Sequence, residues 1–159
     1  MLTIISGGQT GVDRAALDAA HELGIPRGGY IPRGRWTETG ALPLEYENMV
    51  ETQSAGPSRR TKLNVRESDA TLIITRGQCE GGTLLTVETA RKSGRPHLVI
   101  DLDEKDQRTA VATAISAWLE AVAPARLNVA GPRASKDPEI YADAKRLLLG
   151  VFDDYLSGA

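Results

Sequence analysis

The stretch Thr3 to Ala20, TIISGGQTGVDRAALDAA, holds the first residues that could do chemistry. Gly7, Gly8 and Gly11 carry no Cβ, so a ligand can approach their backbone N–H groups closely. A helix starts directly behind them, and the N–H groups of a helix N-terminus favour an anion. Ser6 and Thr10 add hydroxyls. The plainer alternative is a tight strand-to-helix turn capped by Thr10. Asp13, in the first helical turn, has two readings. It stabilises the helix dipole, worth roughly 0.3–1 kcal/mol, or it accepts a hydrogen bond from a ligand.

A second loop, RGQCEGGT, repeats the pattern with Gly81, Gly82 and Thr83, followed by Thr86 and Glu88. Thr83 is the expected N-cap. Two anion-ready helix starts at one sheet edge are a more specific signal than either alone. Glu88 lies more than a turn into the helix. It is a solvated residue, a ligand acceptor or a catalytic carboxylate.

The absent motifs narrow the chemistry. Neither loop contains Gly-Lys-Ser/Thr, which excludes the nucleoside-triphosphate loop. Gly-Gly-Gln-Thr-Gly misses the dinucleotide spacing. After the second strand the chain reads Ile31-Pro32-Arg33-Gly34-Arg35, where a nicotinamide-binding protein would place an acid. Arg33 suits a phosphate or another oxyanion instead. His21, Cys79 and His97 have no partners at metal-ligand spacing, and no metal site is expected. Trp118 falls in a core stripe. Trp36, in the irregular segment 32–57, is placed to cover a flat ring.

These residues must be positioned by a framework, and the apolar pattern supplies one. Leu2–Ile5, Gly29–Ile31, Ala70–Thr75, His97–Leu102 and Leu127–Ala130 read as strands. ATLIIT at 70–75 shows no alternation, as expected of a strand covered on both faces. Between the strands run helical stripes, such as Val12, Ala15, Ala16, Ala19, Ala20 and Leu23. Alternating strands and helices predict a doubly wound, mostly parallel, Rossmann-like α/β sheet of about five strands, with helices on both faces. The carboxyl edge of such a sheet is where ligands bind. Residues 1–159 form one expected domain, without linker or repeat.

Composition sets outer limits. Apolar residues make up 41% of 159, enough for one core, and the net charge is −2. That balance disfavours charge-driven nucleic-acid binding. No apolar run approaches the roughly 20 residues of a membrane span. A secretory leader is not expected, and one cysteine allows no internal disulfide. A cytoplasmic protein follows as the expectation.

In order along the chain stand SGGQTGVDRAALDAA, GGYIPRGR, RRTKLNVRESDATLII, EGGTLLTVETA and LNVAGPRASKDPEIY. In these motifs, over almost its whole length, the sequence resembles the molybdenum cofactor carrier family. That family is similar in fold to the cytokinin-activating phosphoribohydrolases, formerly called lysine decarboxylase-like proteins, and to bacterial DNA-processing proteins. The resemblance implies a homo-oligomer, dimer or tetramer, that holds molybdopterin cofactor or molybdate. It implies binding roles for Gly7, Gly8, Gln9, Thr10 and Gly11, and for Gly81, Gly82 and Thr83. It also marks Arg60 and Asn64 as facing the pocket. The phosphoribohydrolases carry Pro-Gly-Gly-x-Gly-Thr-x-x-Glu, whereas here four residues separate Thr83 from Glu88. This spacing favours a carrier over the alternative, a nucleoside 5′-monophosphate phosphoribohydrolase that would use Arg60 and Glu88 to cleave an N-glycosidic bond.

Overall fold

A computed structural model describes residues 1–103 and 108–158. The elements run β1 (Thr3–Ile5), α1 (Val12–Glu22), β2 (Arg27–Ile31), β3 (Trp36–Thr37), β4 (Gly40–Ala41), β5 (Met49–Glu51), α2 (Pro57–Arg66), β6 (Ala70–Thr75), α3 (Gly81–Ser93), β7 (His97–Asp101), α4 (Arg108–Val122), β8 (Arg126–Ala130) and α5 (Ile140–Ser157). The main sheet is parallel, with strand order β5-β2-β1-β8-β6-β7. It therefore has six strands rather than about five. The added strand is β5, three residues long, which extends the sheet beyond β2.

Every residue of β6 is buried, as expected of a strand without alternation that is covered on both faces. Helices α1, α4 and α5 pack together over one face, and α2 packs with α3 over the other. The stripe of Ala15, Ala16, Ala19 and Ala20 is fully buried. Small side chains there bring the axis of α1 close to the sheet. The core continues through Leu72, Ile74, Leu127, Leu148 and Phe152. A second cluster of Leu17, Ile31, Leu42 and Tyr46 anchors the irregular segment 32–57. In that segment β3 and β4 form a small antiparallel hairpin.

The glycine stops act as the sequence indicates. Gly94 takes a left-handed φ of 69° at the end of α3. One cap differs. Thr83 is the third residue of α3, and Glu80 holds the N-cap position. Just ahead of α5, which begins at Ile140, Asp137 accepts the Glu139 N–H at 3.1 Å.

Candidate functional site

In sheet order β1 and β6 flank β8, and their following helices leave toward opposite faces. Divergence of that kind opens a crevice at the carboxyl edge of a parallel sheet. A cleft of about 710 Å³ lies there. Gly7 and Gln9 line it from the loop after β1, and Asp13 from the first turn of α1. Arg60 and Asn64 line it from α2, and Gly81, Gly82, Thr83 and Thr86 from the start of α3. Both glycine loops thus meet in one cavity.

The first loop is not arranged as its sequence suggests. Three of its backbone donors are directed inward, onto side chains of the same stretch. Gly8 N–H donates to Ser6 Oγ at 3.2 Å, Gln9 N–H to Asp13 Oδ2 at 3.2 Å, and Thr10 N–H to Gln9 Oε1 at 3.0 Å. Those three N–H groups are thereby taken, whereas the N–H groups of Gly7 and Gly11 have no acceptor among the described residues, and of these two only Gly7 lines the cleft. Beside the loop, the first turns of α1 and α2 present an ion pair to the cleft, Asp13 Oδ2 to Arg60 Nη1 at 3.0 Å. Burial pushes the Asp13 carboxyl above its ordinary value, against the pull of Arg60. Arg60 Nε is buried without a partner among the described residues. A Cβ on Gly7 would stand 1.7 Å from Arg60 Nη1, so a side chain there would have to push the guanidinium out of this pair.

Gly8, Thr10, Gly11, Arg33 and Glu88 are not among the residues that line the cleft. A Cβ on Gly8, whose φ is +71°, would meet Leu42 at 3.0 Å and Ile31 at 3.2 Å, in the second core cluster. Gly11 admits the chain that follows β8: a Cβ there would lie 2.2 Å from the Pro132 carbonyl oxygen. Arg33 and Glu88 are exposed, and Glu88 does not share the cleft lining with Arg60. Asn64 lines the cleft but uses both ends of its amide on Tyr30, accepting its N–H at 2.8 Å and donating to its carbonyl at 3.0 Å.

The second loop is open. The Glu80 carbonyl accepts Thr83 N–H and Leu84 N–H. The N–H groups of Gly81 and Gly82 have no acceptor among the described residues. A Cβ on either would meet nothing within 4 Å. Arg76, Arg133 and Lys136 add cationic groups to the lining. Arg76 is committed to Asp137 at 2.7 Å and Asp143 at 2.6 Å, which ties the approach to α5 onto the end of β6. Lys136 forms no ion pair among the described residues.

Glu38, at the tip of the β3–β4 hairpin, escaped sequence reasoning. Its N–H donates to Gln9 Oε1 at 3.0 Å. Its carboxylate accepts the Thr10 hydroxyl, the Ser135 N–H at 3.0 Å and the Ser135 hydroxyl at 2.5 Å, with Arg133 Nε at 3.3 Å. One side chain therefore fastens three loops. Nothing in the spacing of 10, 38 and 135 announces this. Burial raises the Glu38 carboxyl, but the hydrogen bonds from Ser135 and Thr10 and the charge of Arg133 outweigh it and hold it below the ordinary value. Glu38→Ala should cost about 1.5–3 kcal/mol at neutral pH, the scale of hydrogen bonds to a charged group. A depressed folded-state value makes this contribution full above the ordinary value of 4.5 and lost as pH falls through the lowered one. Urea unfolding of both proteins across that range checks it: an equal gap at all pH values would contradict the charged clamp.

Among the described residues no group of three or more His, Cys, Asp or Glu could hold a metal ion, and no helix is long and apolar enough to cross a membrane. Comparison with known proteins places the fold in context. No curated protein matches the chain. A crystal structure from Syntrophus aciditrophicus SB, of a protein named "Putative molybdenum carrier protein", is 48% identical and superposes with a TM-score of 0.89. The match covers 96% of this chain and 94% of that one. The family model for circularly permutated YpsA SLOG proteins matches residues 4–152. The chain belongs to the circularly permutated YpsA SLOG family.

Proposed function

We propose that this protein is a carrier that holds an anionic, molybdenum-linked small molecule in the cleft and releases it unchanged, acting as a cytoplasmic homo-oligomer. The observation that carries the reading is the pair of unengaged N–H groups at Gly81 and Gly82. They open a 13-residue helix into a cavity at the carboxyl edge of the sheet. Such a helix start accepts a phosphate, a molybdate or a similar group. Lys136 and the guanidinium of Arg60 add positive charge. The name of the Syntrophus protein supports molybdenum as the cargo. A cleft of about 710 Å³ is of the size that takes whole cofactors, and far exceeds a bare tetrahedral oxyanion. This favours molybdopterin cofactor over molybdate alone. The position of Glu88, exposed and off the cleft lining, favours carriage over N-glycosidic cleavage.

Elemental analysis for molybdenum and pterin fluorescence of the purified protein test the reading directly. Calorimetric titration with molybdate and with phosphate tests the anion site. Gly82→Val adds a side chain where the fold leaves space, so it should fold and weaken anion binding about tenfold or more. Release of adenine from adenosine monophosphate by the parent protein would overturn the carrier assignment.

A further inference from the structure

Trp36 is an exposed tryptophan held with unusual care. It is 45% exposed and lines the cleft. Side chains alternate along a strand, so in β3 the buried Thr37 faces inward and Trp36 outward. The residue before it, Arg35, has a φ of +57°, a left-handed conformation that side chains rarely adopt. Three hydrogen bonds keep Arg35 there: its Nε donates to the Leu42 carbonyl at 2.9 Å, and its Nη2 to those of Pro43 at 2.9 Å and Tyr46 at 3.1 Å. Beyond Trp36, Glu38 pins the hairpin tip to the first glycine loop and to Ser135. The indole thus stands between a strained, fully anchored residue and a three-loop clamp. Strain of this sort persists only where the surroundings enforce it, and it concentrates at ligand sites.

The geometry points to Trp36 as a ring platform: the ligand carries a planar, nitrogen-rich heteroaromatic ring that stacks on the indole, in addition to its anionic group. This rests on the reading of the cleft as an anion site and adds the chemistry of the ligand's other end. A hydrophobic contact would not need a tryptophan left in water at the mouth of a cavity. A flat π-face in that position serves stacking, which tolerates different rings because every base or pteridine has such a face. Two sources share this chemistry, a nucleobase and a pterin.

The chain has only two tryptophans, and Trp118 on α4 is partly buried against the core. In a Trp118→Phe background, Trp36 is the sole indole reporter. The probes are guanosine 5′-monophosphate, 6-hydroxymethylpterin phosphate and ribose 5-phosphate, with affinity read by calorimetry and contact by tryptophan fluorescence. At least one ring-bearing phosphate should quench Trp36 and bind about tenfold or more tighter than ribose 5-phosphate. Whichever ring binds tighter identifies the source. Trp36→Ala should bring ring-bearing and ring-free phosphates to similar affinity while keeping the weak binding common to all three. Trp36→Phe should restore part of the preference. Unchanged ring preference in Trp36→Ala would overturn the platform and leave the anion site standing. Failure of all three probes to bind the parent protein would overturn both.

Discussion

Arg60→Ala should lower the unfolding free energy by about 3–5 kcal/mol at neutral pH, and the loss should shrink on acidification. The side chains of Arg60 and Asp13 are only 11% and 6% exposed, and they face each other at 3.0 Å. Removing the guanidinium strands a carboxylate in a place that water hardly reaches. Burial already raises Asp13 with Arg60 present. Without Arg60 the carboxyl must rise further. A raised folded-state value means that the folded protein binds the proton more tightly than the unfolded chain. The variant therefore gains stability relative to the parent as pH falls through that raised value. Near the ordinary aspartate value of 3.8 the folded variant carries the proton while the unfolded chain is half protonated, so most of the charge penalty is gone, and the rest goes below that value. Urea unfolding of parent and variant at pH 7 and near that value measures the gap. A gap independent of pH would mean that Arg60 stabilises by packing alone.

Gly29→Ala should damage the fold at the point where the first glycine loop departs. Gly29 in β2 has a φ of +146°, outside the range of ordinary side chains. A Cβ there would sit 2.1 Å from the Ser6 carbonyl oxygen and 2.9 Å from its nitrogen. Both neighbours are backbone, so no rotamer change relieves the collision. β1 and β2 would have to separate beside the Ser6 N–H bond to Gly28, now 3.0 Å. Backbone strain and overpacking each cost about 1–3 kcal/mol, and here they add. The displaced Ser6 would also pull on its hydroxyl bond to the Asp13 carbonyl, at 2.9 Å, and so on the cleft wall. Thermal unfolding checks the outcome, and a midpoint equal to the parent's would refute it. Gly82→Ala serves as the control, since its Cβ meets nothing.

The strand–helix alternation made the architecture readable. The alanine stripe of α1 and the run of β6 without alternation are local signals with one physical meaning each. The meeting of the two loops followed from topology, because both leave carboxyl ends of parallel strands. Hydrogen-bond direction was not legible. That Gln9 N–H turns to Asp13 depends on a ring closed across four residues of loop, which no spacing rule marks. Gly8 looked like a ligand contact because glycine signals backbone freedom without saying which side is crowded. Its crowding comes from Leu42, 34 residues away in sequence and brought in by the second core cluster. β5 was missed because Met49–Glu51 has no pattern of its own and owes its strand form to pairing with β2.

The place of β8 has a consequence for biosynthesis. It follows every other strand of the sheet in the chain, yet it lies between β1 and β6. Until residues 126–130 leave the ribosome, the sheet is two separate ribbons, β5-β2-β1 and β6-β7. Each carries an open inner edge, and every residue of β6 is buried in the finished fold. Such edges invite pairing with other nascent chains. Joining the ribbons also demands contacts between residues some 120 apart, Thr3 with Arg126 for one, and long-range pairing is slow. The interval between synthesis of β6 and arrival of β8 is therefore when this polypeptide most needs a chaperone, and a ribosome stalled within it leaves a sheet without its middle.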